Sequence, residues 1–364
     1  MPYATSQALR VALEDRLKNQ SRETALDLDR LRRRVVFERI LARLETADPG
    51  RWILKGGMAL EFRLGDRARG TRDLDLAVRG AIDEGDVARD LLIMALAADH
   101  DGDGFSFAVG EPKELDVDGA GRPGWRFSAD AAMAGRRFAV VRLDVVARSD
   151  EIIGTDRVTL PGTLGFAGIS AGDVEAVDRR QHYAEKFHAL TRMYGDRPSS
   201  RVRDLPDLIL LIEGALSPKD GLRGRVEHVF EVRGNHPVPD HIPDPPSDWA
   251  DRYAAIAREL DISAKTLDAA MELLRRFWER VVDDTRASFD PSIIADRGRP
   301  WLSLRAPRSP FRNRIDRFNL PVDGDLRWRK LRIPGASERS SRPAATTQGN
   351  RVTHVLYDVH RPTI

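Results

Sequence analysis

A pair of glycines followed by two closely spaced aspartates constrains this chain more than any other feature. The tripeptide K-G-G at residues 55–57 is followed, within about 20 residues, by D-L-D at 73–75. Residues 71–78 alternate polar and apolar side chains, which predicts a half-buried strand. Because side chains along a strand alternate between its faces, Asp73 and Asp75 share one face, roughly 7 Å apart, and the leucine between them faces the core.

Two carboxylates on one face require a neutralising partner. Like charges so close repel and raise each other's pKa unless a cation lies between them. Mg²⁺ or Mn²⁺ meets this need, because both take hard oxygen ligands, and Mg²⁺ keeps positions for water and substrate phosphates. A third carboxylate, Asp144, lies in the predicted strand 138–146. Three carboxylates suffice for a two-metal phosphoryl-transfer site, so Asp73, Asp75 and Asp144 are the predicted metal ligands.

The glycine pair suits a phosphate-binding turn. A short apolar segment at 51–55 predicts a strand, and the apolar spacing after Gly57 predicts a helix that ends near residue 65. Uncovered backbone N–H groups at the start of a helix favour phosphate oxygens. Gly56 and Gly57 alone are also compatible with a simple strand-to-helix turn, but the succession of G-G, D-x-D and a later Asp is more specific.

This succession of motifs resembles the signature of the DNA polymerase β-like nucleotidyltransferases. K-G-G-M-A-L and T-R-D-L-D-L look like the AbiEii-type toxin branch, which includes the MenT toxins, over roughly residues 30–220. The resemblance implies an α+β fold with a small mixed sheet flanked by helices, followed by a mostly helical C-terminal half. It also implies transfer of an NMP from an NTP to an acceptor hydroxyl, a tRNA 3′ end as acceptor, and a cognate antitoxin protein as partner.

The same resemblance extends to two predicted helical segments downstream. The segment 181–190 is similar to a helix that offers a lysine to the nucleotide, which makes Lys186 the implied phosphate-binding lysine. The following R-D-x-x-D-L segment implies a further catalytic acid, either Asp204 or Asp207. Lys55, beside the glycine pair, joins Gly56, Gly57 and Lys186 as a candidate for binding the nucleotide. Only seven of the 59 basic residues are lysines, which favours a specific task for Lys186.

One residue departs from the family pattern. The family usually has Ser or Thr directly after the glycine pair, whereas this chain has Met58. A hydroxyl group that could contact phosphate is therefore missing at this position. We expect nucleotide binding to depend more strongly on the glycine amides and on Lys186.

Periodicity along the chain predicts three regions: a nucleotidyltransferase domain at 1–160, a helical domain that closes the nucleotide cleft at 161–295, and an Arg-rich, poorly ordered tail at 296–364. Further elements are predicted as two helices within 6–47, helices at 82–96, 171–192, 203–216 and 260–282, strands at 105–109 and 125–127, and a proline-rich loop at 234–250.

The formal net charge of +2 conceals two regions of opposite sign. Residues 301–350 contain 11 Lys and Arg but 4 Asp and Glu, so the remainder of the chain is acidic. A polyanionic substrate would then bind at a local basic wall, for which Arg69, Arg72 and Arg142 are candidates. The tail, with Trp301 and Trp328, could stack on and neutralise RNA, or have no selected role.

Composition excludes several classes of protein. The chain has no cysteine, which excludes disulfides, thiol nucleophiles and thiolate metal sites. No apolar run approaches the roughly 18 residues of a membrane span, and the start has no apolar signal core, so we expect a cytoplasmic protein without membrane contact.

Three alternatives stay open at this point. The protein could nucleotidylate a small molecule or a protein, or it could be a catalytically decayed RNA-binding module. The D-x-D pair could also be a solvated strand face, since acids are mostly exposed.

Overall fold

The computed structural model describes four stretches of the chain: residues 3–116, 122–147, 149–192 and 201–288. The chain divides into two compact units, and the first, Met1–Arg299, contains all of these stretches. The predicted tail at 296–364 lies outside the described residues.

Two amphipathic helices begin the described chain, as predicted for residues 6–47. Helix α1 spans Ser6–Thr24 and helix α2 spans Leu28–Ala47. Side-chain oxygens of Thr5 and Asp27 accept hydrogen bonds from first-turn backbone N–H groups at 3.1 and 2.8 Å. These caps satisfy donors that have no partner within the helix. The buried leucines of α1 recur every four residues, which defines its core-facing stripe: Leu9, Leu13 and Leu17.

A mixed eight-stranded sheet forms the centre of the fold. Its strands are β1 (Trp52–Leu54), β2 (Asp73–Val78), β3 (Phe105–Val109), β4 (Lys113–Glu114), β5 (Gly124–Met133), β6 (Arg136–Val146), β7 (Thr155–Thr159) and β8 (Asp173–Val177). The spatial order is β3-β5-β6-β2-β1-β8-β7, and β4 pairs with β5 outside this path. The β2 and β6 pair and the β1 and β8 pair are parallel, and the other pairs are antiparallel.

Helices connect and follow the strands. They are α3 (Gly56–Leu64), α4 (Gly85–Ala97), α5 (Arg179–Thr191), α6 (Asp204–Glu213), α7 (Leu222–Arg233), α8 (Trp249–Glu259) and α9 (Leu267–Ser288). A mixed sheet flanked by helices, followed by a mostly helical part, is the α+β arrangement that the sequence predicted. No helix among the described residues combines the length and apolar character needed to cross a membrane.

The segment 171–192 is not one helix, contrary to the sequence prediction. Its first part is strand β8, in which Val174 and Ala176 are buried on the core side. Helix α5 begins after Asp178, whose carboxylate accepts a hydrogen bond from the Gln181 backbone at 2.7 Å. Alternating burial before this cap is typical of a strand, and the prediction of one continuous helix overlooked it.

The helix predicted at 260–282 also begins later than expected. Asp261 has a positive φ of 49°, which breaks the helical path, and α9 starts at Leu267. Leu260 and Ile262 are nevertheless buried, so their apolar character reflects a packed turn rather than a helix. The sequence also missed α7 and α8, and the start of α8 lies within the predicted loop 234–250.

The described residues pack around two main apolar cores. One lies between the sheet and helices α1, α2 and α4. The other lies among α5 to α9 and contains an aromatic group in which the Phe187 and Trp278 ring centroids are 4.5 Å apart. Strand β8 extends the sheet to Val177, beyond the predicted domain boundary at residue 160, and the division into domains stays a prediction.

Candidate active site

The turn between β1 and α3 lies directly against the aspartate strand. Gly56 has a φ of +61°, and a Cβ atom added there would lie 1.8 Å from Oδ2 of Asp75. A Cβ atom added to Gly57 would lie 3.2 Å from Oγ1 of Thr71. Position 56 therefore requires glycine for two reasons, its left-handed backbone and the adjacent carboxylate.

Strand pairing brings the three predicted metal ligands together. Leu74 is fully buried, whereas Asp73 and Asp75 are half-buried on the opposite face of β2. Strand β6 runs parallel to β2, and its register sets Asp144 directly beside Asp75. Adjacent strands lie about 4.8 Å apart, so these two carboxylates leave the sheet at neighbouring positions.

A cleft of about 540 Å³ opens above these carboxylates. Most of the predicted site residues line it, together with several arginines. The lining residues are Gly57, Arg69, Thr71, Arg72, Asp73, Asp75, Arg126, Arg142, Asp144, Lys186, Arg201, Arg203 and Asp204. Seven of these side chains are cations and four are carboxylates, so the cleft has the net positive charge that a polyanion needs.

Asp75 differs from the other carboxylates of this cleft because it has no ion-pair partner among the described residues. Its side chain forms no ion pair with any residue in the described stretches. Desolvation, followed by the charge of Asp144, raises the pKa of Asp75 to about 6, although the charge of Lys186 opposes this shift. The anionic form of Asp75 is therefore the group that a bound cation would stabilise most.

Lys186 reaches the cleft from α5 and is held by two acids of α6. Its Nζ atom lies 2.8 Å from carboxylate oxygens of both Asp204 and Asp207. Burial alone would lower the pKa of Lys186, but these two charges outweigh it and raise the pKa, so the ammonium group stays charged. Asp207 also accepts two hydrogen bonds from Arg69, at 3.1 and 2.9 Å.

The two candidate acids of α6 differ in position. Asp204 lines the cleft, whereas Asp207 lies behind it and is 1% exposed. Although burial opposes the shift, Lys186 and Arg69 hold the pKa of Asp207 below its ordinary value. Asp207 therefore holds Lys186 and Arg69 in position from behind the cleft, and Asp204 is the acid that can contact a ligand.

Lys55 does not line the cleft. Its ammonium group lies 3.1 Å from Glu185 and 3.6 Å from Glu151, and the residue is 6% exposed. Glu151 also pairs with Arg233 at 2.5 Å, so Lys55 belongs to a buried ionic network beneath α5. The structure thus places Lys55 in this ionic network rather than among the residues that line the cleft.

Two arginines of the sheet cover two of the three carboxylates. Arg126 of β5 donates hydrogen bonds from Nε and Nη2 to the two oxygens of Asp144, at 2.8 and 2.6 Å. Arg142 of β6 lies with its Nε atom 2.5 Å from Asp73. The sequence predicted Arg142 beside the site but missed Arg126. The available signal was its place between Trp125 and Phe127, which puts it on the face opposite the core.

Met58 points away from the cleft. The residue is fully buried in the core beneath the sheet. Thr71, which lines the cleft beside Gly57, supplies a hydroxyl group in that neighbourhood. The loss of a family hydroxyl at position 58 is thus accompanied by a hydroxyl on the adjacent loop.

The carboxylates fit a hard divalent cation by their chemistry. They supply oxygen ligands, and Asp75 retains a charge with no described ion-pair partner. No group of three or more acidic, His or Cys side chains in the described stretches is arranged as a ready metal site. Arg126 and Arg142 pair with oxygens of Asp144 and Asp73 that a cation would use as ligands.

Comparison with known proteins identifies the family. The model of the family described as nucleotidyl transferase AbiEii toxin, type IV TA system, matches residues 39–280. Comparison with curated proteins finds no significant match.

Solved structures give weaker likenesses. MenT4, a nucleotidyltransferase toxin from Mycobacterium tuberculosis, is 18% identical with a TM-score of 0.46, over 78% of this chain and 96% of that one. JHP933 from Helicobacter pylori is 16% identical with a TM-score of 0.38, over 73% of this chain and 100% of that one. An antigenic nucleotidyltransferase-like protein from Paracoccidioides brasiliensis is 15% identical with a TM-score of 0.32, over 55% and 88% of the two chains. The family match covers well over half of the sequence, and the chain belongs to the AbiEii nucleotidyltransferase toxin family of type IV toxin–antitoxin systems.

Proposed function

We propose that this nucleotidyltransferase uses Mg²⁺ or Mn²⁺ to transfer an NMP from an NTP to a hydroxyl at the 3′ end of tRNA. The observation that carries the proposal is the cleft in which Asp73, Asp75 and Asp144 lie on adjacent strands and face Lys186. Carboxylates with a charged lysine opposite them are suited to hold a metal-bound triphosphate.

The three aspartates would hold the divalent cation, which when bound supplies charge neutralisation at the phosphates. The Lys186 ammonium group binds non-bridging phosphate oxygens, and its raised pKa keeps it charged at neutral pH. The Gly57 backbone borders the same space and is suited to donate a hydrogen bond to phosphate, whereas the Thr71 hydroxyl group donates to the Asp73 carbonyl at 3.2 Å.

The chemistry requires one bond to form and one to break. The acceptor hydroxyl oxygen bonds to the α-phosphorus, and the bond from that phosphorus to the bridging oxygen of pyrophosphate breaks. A carboxylate of the cleft takes the hydroxyl proton, and Asp144 is the candidate base. Before any ligand binds, two hydrogen bonds from Arg126 orient this carboxylate toward the cleft.

An RNA acceptor suits the charge of the cleft mouth. Arg72 and Arg203 are exposed and form no ion pair or hydrogen bond within the described stretches. Free guanidinium groups at the rim can bind backbone phosphates of a polyanionic acceptor. We place this reaction in the cytoplasm, where tRNA and NTPs are available. Membership of a toxin–antitoxin family implies a cognate antitoxin protein as the partner that inhibits the enzyme.

The proposal is tested by label transfer. The full chain is incubated with each α-labelled NTP and Mg²⁺, against total tRNA and, separately, against small-molecule and protein acceptors. We expect label on tRNA that is removed by 3′-exonuclease, with Asp73→Ala inactive and Asp90→Ala, an exposed aspartate on α4, fully active.

Two other outcomes would change or contradict the proposed function. Label on a small molecule or protein would replace the tRNA acceptor. If Asp73→Ala inhibits growth as strongly as the wild type and neither transfers label, the protein acts as a binding module and the catalytic proposal is wrong.

A further inference from the structure

We propose that Arg126 and Arg142 are exchangeable counter-ions: they neutralise Asp144 and Asp73 before loading, and move to the nucleotide polyphosphate when a divalent cation takes their place. The inference rests on the proposed function and adds the order in which its site is loaded. It assigns a phosphate-binding role to Arg126, which no sequence motif indicated.

The sheet register aligns these groups in two rows. Across adjacent strands, Arg126 lies beside Asp144, and Asp144 lies beside Asp75. In the second row, Arg142 lies beside Asp73. Each arginine is thus held next to a carboxylate by backbone pairing, and its guanidinium group needs only side-chain rotation to leave.

Both arginines lie on the solvent side of their carboxylates. The Arg126 side chain is 37% exposed and that of Asp144 is 12% exposed. Arg142 and Asp73 show the same order, with 47% and 30%. A guanidinium group in this position can turn toward the open cleft without unpacking the core.

These two arginines have few competing contacts. Within the described stretches, Arg126 pairs through its side chain with Asp144 and Arg142 with Asp73, and neither has a further partner. Arg69, in contrast, is 18% exposed and is fixed by two hydrogen bonds to the buried Asp207. The cleft therefore contains a less exposed arginine on a buried acid and two more exposed arginines on the predicted metal ligands.

The exchange has a thermodynamic consequence. A cation alone must displace a guanidinium group that gains nothing in return, whereas a cation arriving with a polyphosphate gives that group a new partner. The two ligands should therefore bind with positive coupling, and such coupling is reciprocal. Removing the arginine frees Asp144 but also removes a phosphate ligand, so metal affinity and polyphosphate affinity should change in opposite directions.

The experiment measures binding rather than turnover. Mn²⁺ binding to the full chain is followed by electron paramagnetic resonance without nucleotide, for the wild type, Arg126→Gln, Arg142→Gln and the double variant. Binding of inorganic triphosphate is then measured at saturating Mn²⁺, with correction for the complex that the two form in solution. Arg79→Gln is the matched control, because Arg79 makes a two-hydrogen-bond pair with Glu175 outside the cleft at comparable exposure.

We expect Arg126→Gln to bind Mn²⁺ roughly fivefold more tightly than the wild type, and triphosphate at least roughly fivefold more weakly. Arg142→Gln should show the same pattern, and Arg79→Gln should match the wild type. A purely structural role of Arg126 would weaken both affinities together, and circular dichroism of each variant identifies that case.

The failure of this inference and of the proposed function are distinguishable. If the wild type binds Mn²⁺ and triphosphate but folded Arg126→Gln binds Mn²⁺ no more tightly, the exchange is wrong and the function stands. If the wild type binds neither ligand, both are wrong.

Discussion

Asp103 and Asp75 are both carboxylates near arginines, but they differ in the number of hydrogen bonds and ion pairs that they make. Asp103 is fully buried and accepts hydrogen bonds from Arg39 at 2.8 Å, from Arg43 at 2.6 Å and from the Phe105 backbone at 2.8 Å. Asp75 is half-buried beside another acid, and no described side chain neutralises it.

The difference separates a structural acid from a candidate catalytic one. A buried carboxylate with every oxygen satisfied fixes α2 against the loop before β3 and has no capacity for a ligand. A carboxylate beside a like charge, open to a cleft, is higher in free energy until a cation binds. Function is thus indicated by the acid that the protein leaves without a partner rather than by the acid with the most partners.

The largest effect is expected for Asp75→Asn. Loss of this carboxylate removes a metal ligand, so transfer activity should fall by about 10³-fold or more. The free energy of unfolding should stay equal or rise, because a repelled charge is removed. Single-turnover label transfer and urea unfolding measure the two quantities, and a variant that keeps activity within tenfold of the wild type would contradict the catalytic assignment.

Asp103→Asn should have the opposite profile. Removing the Asp103 charge leaves the buried guanidinium groups of Arg39 and Arg43 with only the more exposed Asp101 and Asp99 as counter-charges, at a cost of about 3 kcal/mol in the free energy of unfolding. Activity per folded molecule should be unchanged. Urea unfolding at neutral pH, together with activity corrected for the folded fraction, measures both quantities. An unchanged free energy of unfolding would contradict the structural role of Asp103.

Gly56→Ala should disturb the Asp75 carboxylate without changing a charge. A methyl group there meets the Asp75 carboxylate at 1.8 Å, so the aspartate must move and activity should fall by more than tenfold. Gly65→Ala is the control, because Gly65 also has a positive φ, +62°, with nothing within 4 Å of the added atom. Both variants should lose on the order of 1–3 kcal/mol of stability to backbone strain. Equal activities of the two would argue against a catalytic position for Asp75.

The smallest expected effect is the pH dependence that Asp75 gives to the free energy of unfolding. The pKa of Asp75 is raised from 3.8 to about 6, so between these values the native state binds more protons than the unfolded state. The metal-free protein should therefore lose stability from this group as pH rises from about 4 to 6, on the order of 1 kcal/mol after screening in the cleft. The Asp75→Asn variant should lack this component, measured as the difference between the two urea-unfolding profiles.

Metal binding should reverse the trend. Bound Mg²⁺ requires the anionic carboxylate, so the rise in Tm on adding Mg²⁺ should be larger at pH 7.5 than at pH 5. A rise in Tm that is independent of pH would show that the ion does not bind at the Asp75 carboxylate.

Much of the local structure was predictable. Alternation in residues 71–78 indicated the strand that carries Asp73 and Asp75, and the apolar spacing after the glycine pair indicated helix α3. The prediction of helix at 171–192 was wrong in its first part because five residues of strand β8 precede the cap at Asp178. Strand and helix periods are hard to separate over so short a segment.

The partners of the charged residues were less predictable. Lys55 directly precedes the glycine pair, yet its ammonium group pairs with Glu151 and Glu185, which lie far along the chain. Arg126 is held on Asp144 by the β5 and β6 register. Long side chains can reach several partners, and burial and register choose among them.

Residue types and a period of two are enough to place Asp73 and Asp75 on one strand face, so the side chains available for the chemistry can be identified without the fold. Which of these side chains meet depends on how distant segments pack. Packing sets Asp144 beside Asp75, pairs Lys186 with Asp204, buries Met58 in the core and gives Asp75 no counter-ion among the described residues. The physical reason is that periodicity is a short-range property, whereas neutralisation depends on contacts between segments distant in the chain.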